Sequence, residues 1–135
     1  MQCIADANVL LPLLTNGHAH RPAAASWWNA QQDDAVGLCF PVRMALLRLL
    51  TNARVMASGT LQPEQAWEVL SQLTCDPRIV LIGEPPVTHA RYWRANIARR
   101  EPTPDLWTDA WLAALAQATE CEMTTLIGVF ARLPT

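Results

Sequence analysis

An α/β fold, with a short central parallel sheet between layers of helices, is predicted by three features of the sequence. Short apolar runs (QCIA at 2–5, VGLC at 36–39, RIVLIG at 78–83 and MTTLI at 123–127) alternate with longer segments of helical periodicity. Strands that alternate with helices imply a parallel sheet covered on both faces, a three-layer sandwich. No linker, repeat or low-complexity tract interrupts the pattern, and 135 residues suit a single domain, 1–135, with a real core.

The elements follow in order. QCIA is a buried strand that Asp6 ends, and ANVLLPLL begins a helix at Asn8, with Pro12 in its early turns or kinking it. His18–Gln32 sets small and bulky apolar residues at helical spacing, with Trp27 and Trp28 near its end and Asp33-Asp34 closing it. After VGLC, Pro41 opens a helix carrying Met44, Leu46, Leu47, Leu49 and Leu50, since proline is tolerated at a first helical position. Asn52 lies near its end and Ser58-Gly59 is a loop. Thr60 and Glu64 bracket the next helix start, with Pro63 in the first turn and Ala66, Trp67, Leu70 and Leu73 as the apolar face. Asp76-Pro77 breaks the chain before RIVLIG, the clearest strand because it is β-branched. Glu84-Pro85-Pro86 ends that strand. A helix runs from Val87 to Arg100, Pro102 and Pro104 separate it from the helical DLWTDAWLAALAQATE, and MTTLI is the last strand.

Composition narrows the function. The formal net charge of -2 gives no global basic signature for nucleic acid. All cationic side chains except histidine are arginine, whose planar fork suits phosphate and carboxylate. Cys3, Cys39, Cys75 and Cys121 lack CxxC spacing, which argues against zinc. No basic region precedes the first apolar run and Asp6 interrupts it, so a signal peptide is not expected; nor does any run approach the ~20 apolar residues that span a membrane. The expectation is a reduced, cytosolic protein with free thiols.

Ligands of open parallel sheets bind beyond the carboxyl ends of the strands. Asp6 and Glu84 stand there, and a carboxylate between two apolar runs is costly to bury unless a cation or hydrogen-bond donors meet it. Asp109, in WTDAWLAALA, lies one turn after Asp105 on one helix face. Both are near the helix start, where the macrodipole favours negative charge, so Asp105 reads on its own as an N-cap. Asp109, crowded by Ala and Leu, reads as functional.

In chain order, DANVLL after a short strand, ALLRLLTN in mid-chain and TDAWLAALA followed by a TT-initiated strand resemble a PIN domain, and more narrowly the VapC-type ribonuclease toxins of bacterial toxin–antitoxin pairs. The likeness covers nearly the whole chain and includes the WW before the second strand and the EP after the third. It implies a metal-dependent endoribonuclease in which carboxylates from separate segments hold Mg²⁺ or Mn²⁺ at the sheet edge, activating a water and neutralising the phosphate. By this resemblance Asp6 and Asp109 are the catalytic, metal-holding acids, Asn8 orients the first acid, and Thr125 matches the threonine of the last-strand motif.

Two positions depart from the family pattern. Arg43 stands about where many relatives carry an acid, and Ile127 replaces the acid of the last-strand motif T-F-D-R-x-F, here Thr125-Leu126-Ile127-Gly128-Val129-Phe130. The second departure has a hypothetical genetic origin: TTT GAT CGG GGT TTT encodes FDRGF, and a T lost from the first codon and regained in the following T-run gives LIGVF. Resequencing the locus tests this; a frame intact without the T-runs rules it out. With only Asp6 and Asp109, metal binding is expected to be weak, Asp105 or Glu84 being candidates for a third carboxylate. The rival expectation is a catalytically inactive PIN domain that dimerises or captures an antitoxin, with Arg43 paired to Asp6 or Asp109 in place of a metal. A phosphotransfer aspartate protein is disfavoured by the missing lysine and the absence of an acid next to Asp6.

The remaining residues carry less. His18 and His20 read as a solvated pair and His89 as a surface residue. Trp67, Trp93 and Trp111 read as core or interface, and of the adjacent Trp27 and Trp28 one is expected to meet a partner. Arg91, Arg94, Arg99 and Arg100 are the only basic cluster and, given the resemblance, candidate RNA contacts. The resemblance also implies an RNA substrate, a cognate antitoxin and a homodimer, with ANVLLPLL and PVRMALLRLL as apolar segments for packing on a partner or on the core.

Overall fold

Four short strands form one parallel sheet in the computed structural model, which describes residues 1–126. They are β1 (Cys3–Ala5), β2 (Val36–Leu38), β3 (Ile79–Leu81) and β4 (Glu122–Thr124), in the spatial order β3-β2-β1-β4. The α/β class and the parallel sheet are as expected. Each strand is shorter than its apolar run; after β1 and β2 the chain turns directly into α-helix, which ends the ladder there. The last strand is Glu122–Thr124 rather than MTTLI: Thr125 leaves the ladder and Leu126 is already helical. Of the LIGVF departure only Leu126 is described; Ile127 and the residues after it lie outside the described residues.

Among the described residues, seven helices flank the sheet in a three-layer α/β arrangement. They are α1 (Ala7–Leu14), α2 (Arg21–Asn29), α3 (Phe40–Leu50), α4 (Ala53–Met56), α5 (Pro63–Thr74), α6 (His89–Ile97) and α7 (Leu106–Thr119). None is long and apolar enough to cross a membrane. Helix α1 packs on α2 and α3, α3 on α5, and α7 on β1 and β4 with α6 outside it. The core joins Ile4, Val9, Leu10, Val36, Leu38, Leu46, Leu50 and Leu115, each essentially inaccessible.

Helix α1 contributes most of its apolar residues to that core: Ala7, Val9, Leu10, Leu11 and Pro12 are buried. Pro12 lies within the helix, and the Arg21 guanidinium donates to the Leu13 and Thr15 carbonyls at its frayed end (3.3 and 3.0 Å). Gly37 lets the central strand pack tightly, since a Cβ there would lie 2.5–2.9 Å from Met1 Sδ, Ile82 Cδ1 and Ile4 Cδ1.

Several local expectations are corrected. Asn52 lies just past the end of α3, as expected, and also caps α4, accepting from the Arg54 N–H (2.9 Å); Ser58-Gly59, expected as a loop, falls within a 3-10 turn, Ala57–Gly59. The α5 start is capped by a Gln62–Gln65 box instead of Thr60 and Glu64. Trp67 is 60% exposed, because the buried stripe is Ala66, Leu70 and Leu73 and Trp67 sits about 100° round from Ala66. His89 is 4% exposed, not a surface residue. Its Nε2 meets the Trp111 carbonyl at 3.0 Å and its ring lies edge-on to Trp111. Trp93 Nε1 donates to the Trp107 carbonyl and Asn96 Nδ2 to Gln117 Oε1, so α6 is fastened to α7 along its length. Trp27 is buried, while the partner of Trp28 is the chain's own Arg78 guanidinium, 4.9 Å from the ring centroid.

Candidate active site

The site begins with pairing register. Ile4 lies opposite Gly37 and Met123, and Ala5 opposite Thr124, so β1, β2 and β4 release their chains at one edge. Asp6 is the first residue beyond β1. Its N–H donates to the Thr124 carbonyl (3.0 Å) and its carboxylate accepts from the Ala7 N–H (2.7 Å), which makes it the N-cap of α1. Next along, Asn8 Oδ1 accepts from the Leu126 N–H at 3.0 Å and ties the segment after β4 to α1.

Helix α7 supplies the opposite wall. Asp109 lies in its first turn, and Asp105 occupies the N-cap position without a side-chain capping bond. One cleft is lined by Asp6, Asn8, Arg100, Asp105, Asp109, Leu112, Ala113, Met123 and Thr125. The fold therefore brings Asp6, Asn8, Asp105, Asp109 and Thr125 to a single concavity, with Arg100 at its rim. Arg91 and Arg94 are not there: they line a separate groove with Ala90, Ala95 and Ala98 on α6. Glu84 is not part of the cleft lining either. Sequence reasoning missed Leu112, Ala113 and Met123; the first two could have been found from their spacing of three and four residues after Asp109.

Charge in the cleft is unbalanced. Burial pushes the Asp6 carboxyl above the ordinary aspartate range; the Ala7 N–H opposes this and the nearby Asp109 charge adds to it. Among the described residues the single ion pair is Arg78 with Asp76 (3.0 Å), so neither Arg43 nor Arg100 neutralises Asp6 or Asp109. The expected alternative in which Arg43 pairs with those acids is not what the fold builds. Burial also raises the Cys39 thiol, which remains neutral. None of Cys3, Cys39, Cys75 and Cys121 is in a disulfide.

The donors fit a hard divalent cation. The Asp6 carboxylate, which burial and the nearby Asp109 charge make costly to ionise and which has no ion pair among the described residues, is relieved by a bound cation. Among the described residues no three His, Cys, Asp or Glu side chains are grouped as a metal site. A two-carboxylate set suits Mg²⁺-like ions, which keep several waters and use one or two protein carboxylates.

A PIN-domain family model matches residues 3–129. Ribonuclease VapC41 of Mycobacterium tuberculosis is 34% identical over 131 residues, covering 94% of this chain and 90% of that protein. Ribonuclease VapC29 of the same organism is 29% identical over 133 residues, covering 98% and 91%. The fold is similar to the crystal structure of Mycobacterium tuberculosis VapC20, a sarcin-ricin loop cleaving toxin (TM-score 0.65, 15% identity, 89% of this chain and 85% of that one). It is also similar to the VapBC-1 structure from nontypeable Haemophilus influenzae (TM-score 0.59, 14% identity, 94% and 99%). At such low identity the two structural likenesses speak for the fold alone. The family match and the VapC41 identity extend over almost the whole length: this chain belongs to the PIN-domain family, within its VapC group.

Proposed function

We propose that the protein is a single-domain, VapC-type toxin that hydrolyses RNA phosphodiester bonds with a divalent cation, Mg²⁺ or Mn²⁺, held weakly by Asp6 and Asp109. The observation that carries this reading is the shared cleft, which Asp6 and Asp109 line together from distant parts of the chain with no ion pair to an arginine among the described residues. A bound cation would neutralise phosphate charge and acidify a water. The chain's own residues do the rest. The Ala7 N–H fixes the Asp6 carboxylate, Asn8 holds the segment after β4 against the cleft, and Arg100 at the rim is placed to meet a phosphate. Asp105, which caps nothing, has its carboxylate available to hold water on the α7 wall. The reading includes action in the cytoplasm and, by family, a VapB-like antitoxin and a homodimer.

The test is RNA cleavage with Mn²⁺ by the natural protein, Asp6→Asn and Asp109→Asn. Each variant is expected to lose at least about 100-fold, more than the loss of a residue that only supports a ligand. Equal activity in Asp6→Asn removes this site. Activity appearing only in Ile127→Asp transfers support to the inactive binding-protein reading.

A further inference from the structure

We infer that Phe40 and Arg43, in the first turn of α3, form a nucleotide subsite beside the acidic cleft: the Phe40 ring stacks a base of single-stranded RNA and the Arg43 guanidinium takes the adjoining phosphate. This rests on the ribonuclease reading.

The placement follows from the sheet. Ile4 pairs with Gly37, so two residues further on Asp6 and Cys39 leave β1 and β2 side by side, and each precedes a helix that starts at that edge. Phe40 follows Cys39 directly, and the Cys39 thiol lies in the field of both Asp6 and Arg43. A strand with its scissile phosphate in the cleft passes the start of α3.

The side chains suit such a strand. Helix α3 buries Val42, Leu46 and Leu50, yet Phe40 is 61% exposed, and nothing in core packing requires an aromatic ring there. The Arg43 guanidinium carbon lies 5.6 Å from the Phe40 ring centroid, a cation–π contact that holds the fork in place. Arg43 has no ion pair, and its buried Nε has no acceptor among the described residues. A pre-positioned guanidinium without an anion matches a phosphate, which it can grip bidentately. An exposed ring next to it matches a base, because every base presents a π-face. The base must be unstacked to reach the ring, which selects single strands over duplex. Arg43, at a position where relatives often carry an acid, is thereby a substrate contact and not a lost ligand.

The test is fluorescence anisotropy of a labelled short single-stranded RNA in EDTA, so that nothing is cleaved, with circular dichroism to verify folding. Phe40→Ala is expected to weaken binding about 5- to 150-fold, the range for one base–aromatic stack, and Phe40→Trp to retain it. Arg43→Gln is expected to weaken binding and to flatten the slope of log affinity against log salt by ~0.7, one single-strand phosphate. Unchanged affinity in both Phe40→Ala and Arg43→Gln, with RNA still bound or cleaved by the natural protein, overturns the subsite and leaves the ribonuclease reading intact. Loss in Phe40→Ala that Phe40→Trp does not restore overturns the stacking assignment. Natural protein that neither binds RNA in EDTA nor cleaves it with Mn²⁺ overturns both.

Discussion

Replacing Asp6 by Asn separates the charge of this side chain from its capping role. Asn accepts the Ala7 N–H as Asp does and is as good an N-cap, so α1 keeps its start. What changes is the anion in the half-buried cleft. Because the folded carboxyl titrates above its unfolded counterpart, the folded state binds more protons in the interval between the two, and stability falls as pH rises through it. Removing the anion is therefore expected to raise metal-free stability at pH 7, with the gain disappearing as pH drops below the ordinary aspartate range. The second expectation concerns metal. At a cation concentration ten times its Kd, linkage stabilises the natural fold by about 1.4 kcal/mol. With an unfolding entropy of roughly 2.1 cal/mol/K per residue, a chain of 135 residues then gains about 5 °C in Tm. Thermal unfolding followed by circular dichroism, with EDTA and with Mn²⁺ at several pH values, reads both effects. The natural protein should show the Mn²⁺ shift and Asp6→Asn should not. Equal Mn²⁺ shifts in the two proteins, or a metal-free gain that persists at low pH, would refute the reasoning.

Other outcomes follow from named contacts. Leu115→Ala, at a fully buried position where α7 meets the core, should cost about 2–5 kcal/mol in urea unfolding. His89→Ala should cost about 2–4 kcal/mol, since it removes both the packing on Trp111 and the hydrogen bond to its carbonyl. Trp67→Gln, at an exposed ring, should stay within about 0.5 kcal/mol of the natural protein in the same assay. Asn8→Ala should cost no more than about 1.5 kcal/mol while increasing amide exchange at Leu126, whose N–H loses its acceptor; unchanged exchange there would remove the tie between α1 and the end of β4.

Much of the fold was legible because strand–helix alternation and apolar spacing record which backbone segments are buried. Three of the four strands fall within their apolar runs and the last overlaps only the start of its run, and Asp6 stands at the edge where a parallel sheet presents its ligands. The likeness of DANVLL and TDAWLAALA to one family pointed to Asp6 and Asp109 together, and both line one cleft. Less was legible where a side chain's surroundings come from another element. His89 lies on a helix rich in arginine, and nothing along the chain reveals that α7 covers it with Trp111. Four arginines near one another in sequence look like a single basic surface, yet Arg100 reaches the acidic cleft whereas Arg91 and Arg94 line another groove. By itself the sequence determined the parallel α/β architecture and the acids at its carboxyl edge, because residue periodicity encodes burial one element at a time. Only the tertiary structure decided that Arg43 stays over Phe40 on its own helix and leaves Asp6 without an ion pair among the described residues, because whether a guanidinium reaches a carboxylate on another element depends on how helices dock at the sheet edge.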